Sequence, residues 1–182
     1  MSPVRIGVCV PSADEFRQLT CSTPRFILCS LPSPPGSFVQ VSGRIYSLGG
    51  EQFATTGDWA ESVNPSVDIV EWREEDPMPV ARFQAAAAAT PGRVYTMGGF
   101  GVEGGSAPID SMVSIDTSSG QWRTETPMPT PRALLSAVYV PGGKIYAMGG
   151  RGAQDQFDPV VPTVESYDPV TGAVRTRLFA TV

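Results

Sequence analysis

The sequence predicts an all-β fold: four-stranded antiparallel sheets, repeated along the chain and fanned into a partial ring. Three observations predict it. One octapeptide is spelled three times, as Gly43-Arg44-Ile45-Tyr46-Ser47-Leu48-Gly49-Gly50, as Gly92-Arg93-Val94-Tyr95-Thr96-Met97-Gly98-Gly99 and as Gly143-Lys144-Ile145-Tyr146-Ala147-Met148-Gly149-Gly150. From Gly49 to Gly98 is 49 residues and from Gly98 to Gly149 is 51; a period of about 50 with a double glycine marks a propeller or a similar array. Finally, 19 Gly and 18 Pro in 182 residues supply the turns that many short strands need.

The last repeat shows the unit most clearly. Ala133–Val140 is an apolar run of strand length, closed by the turn Pro141-Gly142-Gly143. Lys144–Met148 is a second strand, ended by Gly149-Gly150. A polar loop, Arg151–Pro162, leads to Thr163–Tyr167, which alternates as a third strand. Asp168–Gly172 is a turn, because Asp and Pro preset it and Gly accepts a positive φ. Ala173–Ala180 is the fourth strand. Four short strands joined by tight turns form one twisted sheet, the blade of a propeller.

The same ruler fits upstream. The middle blade reads Arg82–Ala89, Val94–Met97, Ile109–Ile115, the turn Asp116–Gly120, then Gln121–Glu125 with Trp122. Five consecutive alanines argue locally for helix. Their position argues for an inner strand, where small side chains suit the crowding near the axis. The first full blade reads Ser37–Val41, Ile45–Leu48, Trp59–Val63 and Ile69–Glu74, with Phe26–Ser30 competing for the first strand. Arg5–Val10 and Glu15–Arg17, joined by Pro11–Asp14, fit strands three and four of an earlier half blade, with Phe16 in the tryptophan place. The expected organisation is one domain over residues 1–182: a half blade at 1–22 and blades at 23–80, 81–130 and 131–182.

Side-chain alternation explains why such sheets stack. In the second strands Tyr46, Tyr95 and Tyr146 share a face with Leu48, Met97 and Met148. Ser47, Thr96 and Ala147 share the other with Ile45, Val94 and Ile145. Each sheet has one bulky and one smaller face, so large side chains of one blade fill the space left by the next.

Composition excludes several function classes. Formal net charge is −5 and no basic stripe occurs, so no nucleic-acid partner is expected. Cys9, Cys21 and Cys29 are odd in number and lack CxxC spacing, so they read as small buried thiols rather than a disulfide or zinc framework. No signal peptide or span of roughly 20 apolar residues is seen, which makes a cytoplasmic or nuclear protein the expectation. There is no histidine, which removes Ser-His-Asp and Cys-His catalysis and the commonest metal ligand. No metal and no cofactor are expected. Glu74-Glu75-Asp76 reads as a solvated charge run before a turn.

These residues carry a resemblance. Gly-Arg/Lys-Ile/Val-Tyr, the double glycine, Tyr167-Asp168-Pro169, Trp72 before Pro77-Met78-Pro79 and Arg82, and Trp122 before Pro127-Met128-Pro129 and Arg132 together resemble the kelch repeat. In the last blade Val174 takes the tryptophan place and no Pro-Met-Pro follows. The resemblance covers residues 20–182 and implies a kelch-type β-propeller. Such rings close with about five to seven blades, whereas this chain supplies about three and a half. The resemblance therefore implies a subunit or fragment of a larger assembly, with a second chain completing the ring as one expected partner.

It also implies a non-enzymatic scaffold that binds protein partners through inter-strand loops. Arg25, Arg82 and Arg132 recur at the entry to each inner strand. They read either as structural ties within their own blade or as a ring of forks suited to carboxylates on a partner. Glu51, Phe100 and Arg151 directly follow the three double glycines, at the start of the loop that forms the recognition face in peptide-binding kelch proteins. The glycine-rich loop after Phe100 follows no phosphate-binding pattern. Two other functions within the family stay open: a carbohydrate-modifying enzyme resembling the sialic-acid epimerase branch, and an actin or cytoskeleton binder. The copper-oxidase branch needs histidine ligands, which this sequence lacks.

Overall fold

The computed structural model describes residues 36–52, 55–66, 72–101, 107–152 and 160–178. The expected half blade at 1–22, the competing strand Phe26–Ser30, Arg25 and the three cysteines lie outside these residues. Among the described residues every regular element is a strand, and no helix is long and apolar enough to cross a membrane.

Twelve strands form three four-stranded sheets. The first sheet holds β1 (Ser37–Val41), β2 (Arg44–Leu48), β3 (Ala60–Val63) and β4 (Arg73–Glu74). The second holds β5 (Ala86–Thr90), β6 (Arg93–Met97), β7 (Met112–Asp116) and β8 (Trp122–Thr124). The third holds β9 (Ser136–Tyr139), β10 (Ile145–Met148), β11 (Thr163–Tyr167) and β12 (Val174–Leu178). In each sheet the strands pair antiparallel in chain order. The expected all-β stack of four-stranded antiparallel sheets is what the described residues adopt, with Ser37–Val41 as the first strand of the first blade.

The inner strands are shorter than the apolar runs suggested. Gln84 and Leu134 adopt φ of 53° and 57° and break each run. Before the break, Arg82–Phe83 leaves the main sheet and pairs with Phe100–Gly101. The equivalent Ala133 bridges Arg151. A left-handed non-glycine residue costs about 1–3 kcal/mol. The break turns the arginine side chain away from the inner strand and into its own blade.

The alanine run is a strand, β5, covered on both faces. Ala86 and Ala88 pack into a cluster with Tyr95, Met97, Leu135, Ile145, Ala147 and Tyr167, shared by the second and third sheets. Ala87 and Ala89 pack against a second cluster of Tyr46, Leu48, Met78, Val94 and Ile115, shared by the first and second. No side chain larger than alanine is needed between two such neighbours, and packing overrides helix propensity. The bulky face of each sheet thus lies on the small face of the next.

Candidate functional site

The arginines and double glycines form one repeated linkage. Arg82 donates from Nη1 to the carbonyls of Gly98 (3.2 Å) and Ser111 (2.9 Å) and from Nη2 to Ser111 Oγ (3.0 Å). Arg132 repeats this one blade later, reaching Gly149 O (3.1 Å), Thr163 O (2.9 Å) and Thr163 Oγ1 (2.6 Å). The carbonyl of each arginine accepts from the preceding blade: Gly50 N–H to Arg82 O and Gly99 N–H to Arg132 O, both at 2.9 Å. These arginines therefore tie blade to blade. Of the two readings of Arg82 and Arg132, the structural tie within their own blade holds and the partner-facing fork is corrected, since both are fully buried with their forks on backbone carbonyls.

The glycines are required by this approach. Gly49 and Gly98 have φ of 66° and 65°, and a Cβ there would stand 2.3 Å from Arg82 O and 2.4 Å from Arg132 O.

The two arginines differ in charge balance. Arg132 Nη2 lies 2.9 Å from Glu165 Oε1, with both side chains buried. At the same register the middle blade has Val113. Burial lowers the Arg82 pKa to about 10, which still leaves it cationic at neutral pH.

A second cluster was not foreseen. Glu125 accepts from Ser114 Oγ (2.6 Å), from Arg123 Nε (2.8 Å) and, across the blade boundary, from Tyr167 Oη (2.6 Å). Burial pushes the Glu125 pKa up, but these hydrogen bonds outweigh it and hold the carboxyl below its usual value. Tyr167 moves the opposite way, raised first by burial and then by its bond to Glu125. In the first blade Ser62 Oγ donates to Glu75 Oε1 at 2.5 Å, and Arg73 lies 3.3 Å from Glu75. The expectation of a solvated run at Glu74-Glu75-Asp76 is thus corrected for Glu75, whose side chain is buried, while Glu74 and Asp76 are exposed. The signal was the Arg-x-Glu spacing, Arg73/Glu75 and Arg123/Glu125, which puts both side chains on one face of a strand.

The residues after the double glycines sit at one rim but differ in exposure. Glu51 is exposed and pairs with Thr56 in a short hairpin. Arg151 is half-buried, bridging Ala133 and Val160 through its backbone. Phe100 is fully buried, its ring 5.3 Å from that of Phe83. The expectation of Phe100 as a partner contact is corrected: it is buried, with its ring tilted at 37° against that of Phe83. Among the described residues no group of three or more His, Cys, Asp or Glu is placed to hold a metal.

Comparison with known proteins follows the same repeats. The human protein Kelch-like protein 33 (Homo sapiens) is 35% identical over 68 residues, 37% of this chain and 12% of that protein. The solved chain titled "Structure of YjhT" superposes with a TM-score of 0.67 at 18% identity, over 81% of this chain and 52% of that one. The chain thus spans a small part of the first and about half of the second, and the second likeness shows the fold alone. A family model described as Kelch motif matches residues 81–129 and 132–176, more than half of the sequence. Those segments are the second and third blades with the arginine linkage between them, and the chain belongs to the Kelch motif family.

Proposed function

We propose that the chain is a non-enzymatic kelch scaffold that binds a protein partner at the rim carrying Glu51 and Arg151. The observation that carries this reading is the division of labour among the recurrent residues. Arg82, Arg132 and Phe100 are consumed by the fold, whereas Glu51 stays exposed and Arg151 partly so at the equivalent rim position. Loops on a rigid scaffold are where recognition resides. A carbohydrate-modifying enzyme would draw on Arg82, Arg132 or Arg151 to hold substrate, and the first two are bonded to backbone. The lack of histidine also supports a binding role.

Selection of peptides from a random display library on the full chain tests it. Enriched peptides should lose at least tenfold affinity when Glu51→Ala and Arg151→Ala are combined. Failure to enrich any peptide, or binding indifferent to both changes, would end this reading.

A further inference from the structure

The third blade lacks one member of a polar cluster that the other two share. In the first sheet Arg44 Nη2 donates to Ser62 Oγ (2.6 Å), Ser62 Oγ donates to Glu75 Oε1 (2.5 Å), and Arg73 lies 3.3 Å from Glu75. In the second, Arg93 Nη1 donates to Ser114 Oγ (2.9 Å), Ser114 Oγ donates to Glu125 (2.6 Å), and Arg123 pairs with Glu125 at 2.7 Å. The third keeps the hydroxyl and the two cations as Ser166, Lys144 and Arg175, with Ser166 opposite Arg175 as Ser114 is opposite Arg123. Arg177, however, stands where the others hold a buried glutamate.

The exchange leaves its mark on the hydroxyl. Ser166 is only 7% exposed, and its Oγ has the Arg175 carbonyl as acceptor at 3.5 Å, beyond the usual range for such a bond. Lys144 lies within charge range of Asp168. Arg175 and Arg177 are exposed, and neither forms an ion pair among the described residues.

The apolar half of the same face is also uncovered. Tyr46, Leu48, Tyr95 and Met97 are each no more than 2% exposed, packed against the following sheet. Their equivalents Tyr146 and Met148 are half-buried, and Val138, opposite Tyr146, is 46% exposed. A Cβ on Gly149 meets nothing within 4 Å, where Gly49 and Gly98 meet an arginine carbonyl of the next blade. Val138, Tyr146, Ser166 and Arg175 lie abreast on the four strands, so one side of the sheet runs from apolar to cationic.

We propose that this face binds an acidic polypeptide segment of another protein. Its carboxylate takes the place that Glu75 and Glu125 fill in the other blades, and an apolar neighbour covers Tyr146, Met148 and Val138. Two guanidinium forks and a buried hydroxyl suit a carboxylate, and the equivalent groups already hold one twice in this chain. From Val138 to Arg175 is three strand spacings, about 14 Å, which about four extended residues span. The expected ligand thus has an apolar residue and an acid about four residues apart. Two copies set face to face would confront cations with cations, so a second copy is the poorer occupant. This surface is separate from the rim carrying Glu51 and Arg151, and either reading can fail alone.

The test is selection from a random peptide display library on the full chain carrying Glu51→Ala and Arg151→Ala, which takes the rim out. Enriched peptides should pair an acid with an apolar residue at that spacing. They should lose at least about tenfold affinity when the acid is changed to its amide, and again when Arg175→Ala and Arg177→Ala are combined. Arg177→Glu restores the Arg-x-Glu of the other blades, so it should weaken binding as much while raising the melting temperature. Val138→Glu, at an exposed position, should weaken binding too, and it serves as the second variant if Arg177→Glu fails to fold. Failure to enrich acidic peptides, or binding indifferent to the amide change or to Arg175 and Arg177, overturns the proposal. Wild-type dimers in light scattering that Val138→Glu disperses overturn it too, because a second copy is then the occupant.

Discussion

Arg132 and Glu165 show how burial sets the value of a charge. Removing one partner of a buried pair leaves the other charge uncompensated, at about 3–5 kcal/mol. Arg132→Ala strands Glu165 and also leaves the Gly149 and Thr163 carbonyls without their donor. Glu165→Val, by contrast, recreates the Val113 environment in which Arg82 already stands. Urea denaturation should show Arg132→Ala costing at least 3 kcal/mol and Glu165→Val clearly less; equal losses would refute the account. Tyr167 gives a pH dependence at the same scale. Its pKa is raised in the fold, as are those of Tyr95 and Tyr46, burial leading in each case. Above about pH 10 the unfolded chain releases these protons while the folded chain keeps them, so the tyrosine contribution falls as pH rises further, against an opposite contribution from Arg82. Urea midpoints should be level between about pH 6 and 9, and above about pH 10 the Tyr167→Phe chain should lose less, or gain more, stability with pH than the wild type.

Among the elements, the strand ending in a double glycine is where local chemistry and packing separate. Gly98 and Gly149 share φ of 65°, so alanine suffers the same backbone strain at both. Only at Gly98 would the methyl also collide with a neighbouring blade, through Arg132 O. Gly98→Ala should therefore lower the melting temperature by several degrees more than Gly149→Ala does in the same chain. Equal shifts would mean that φ alone demands the glycine. The inner strands teach a related lesson. A run such as Arg82–Ala89 reads as one strand because its composition is continuous, yet Gln84 divides it. No sequence rule places a left-handed residue there; the demand comes from burying the Arg82 fork against Ser111 and Gly98.

Among the described residues the three sheets form a short stack, the middle sheet packed against both others. Stability in such arrays is close to a sum of unit and interface contributions. The middle sheet has two interfaces, and fully burying a large apolar side chain contributes roughly 1.5–3 kcal/mol. Amide exchange should thus be slowest at Tyr95 and Met97 in β6 and faster at Tyr146 and Met148 in β10. Equal protection along the stack would show that it opens as one unit.

The sequence by itself determined the repeat, the strand order, the double-glycine turns and the alternation of bulky and small faces. All of these are periodic and follow from neighbours within about 50 residues. Only the tertiary structure decided which recurrent residues the fold consumes. Phe100 and Glu75 look like surface chemistry in a linear reading, and Arg82 and Arg132 read as either structural ties or surface forks. They are buried because their partners, Ser111, Thr163, Phe83 and Ser62, come from other strands of the blade, and burial is a property of such contacts rather than of residue type.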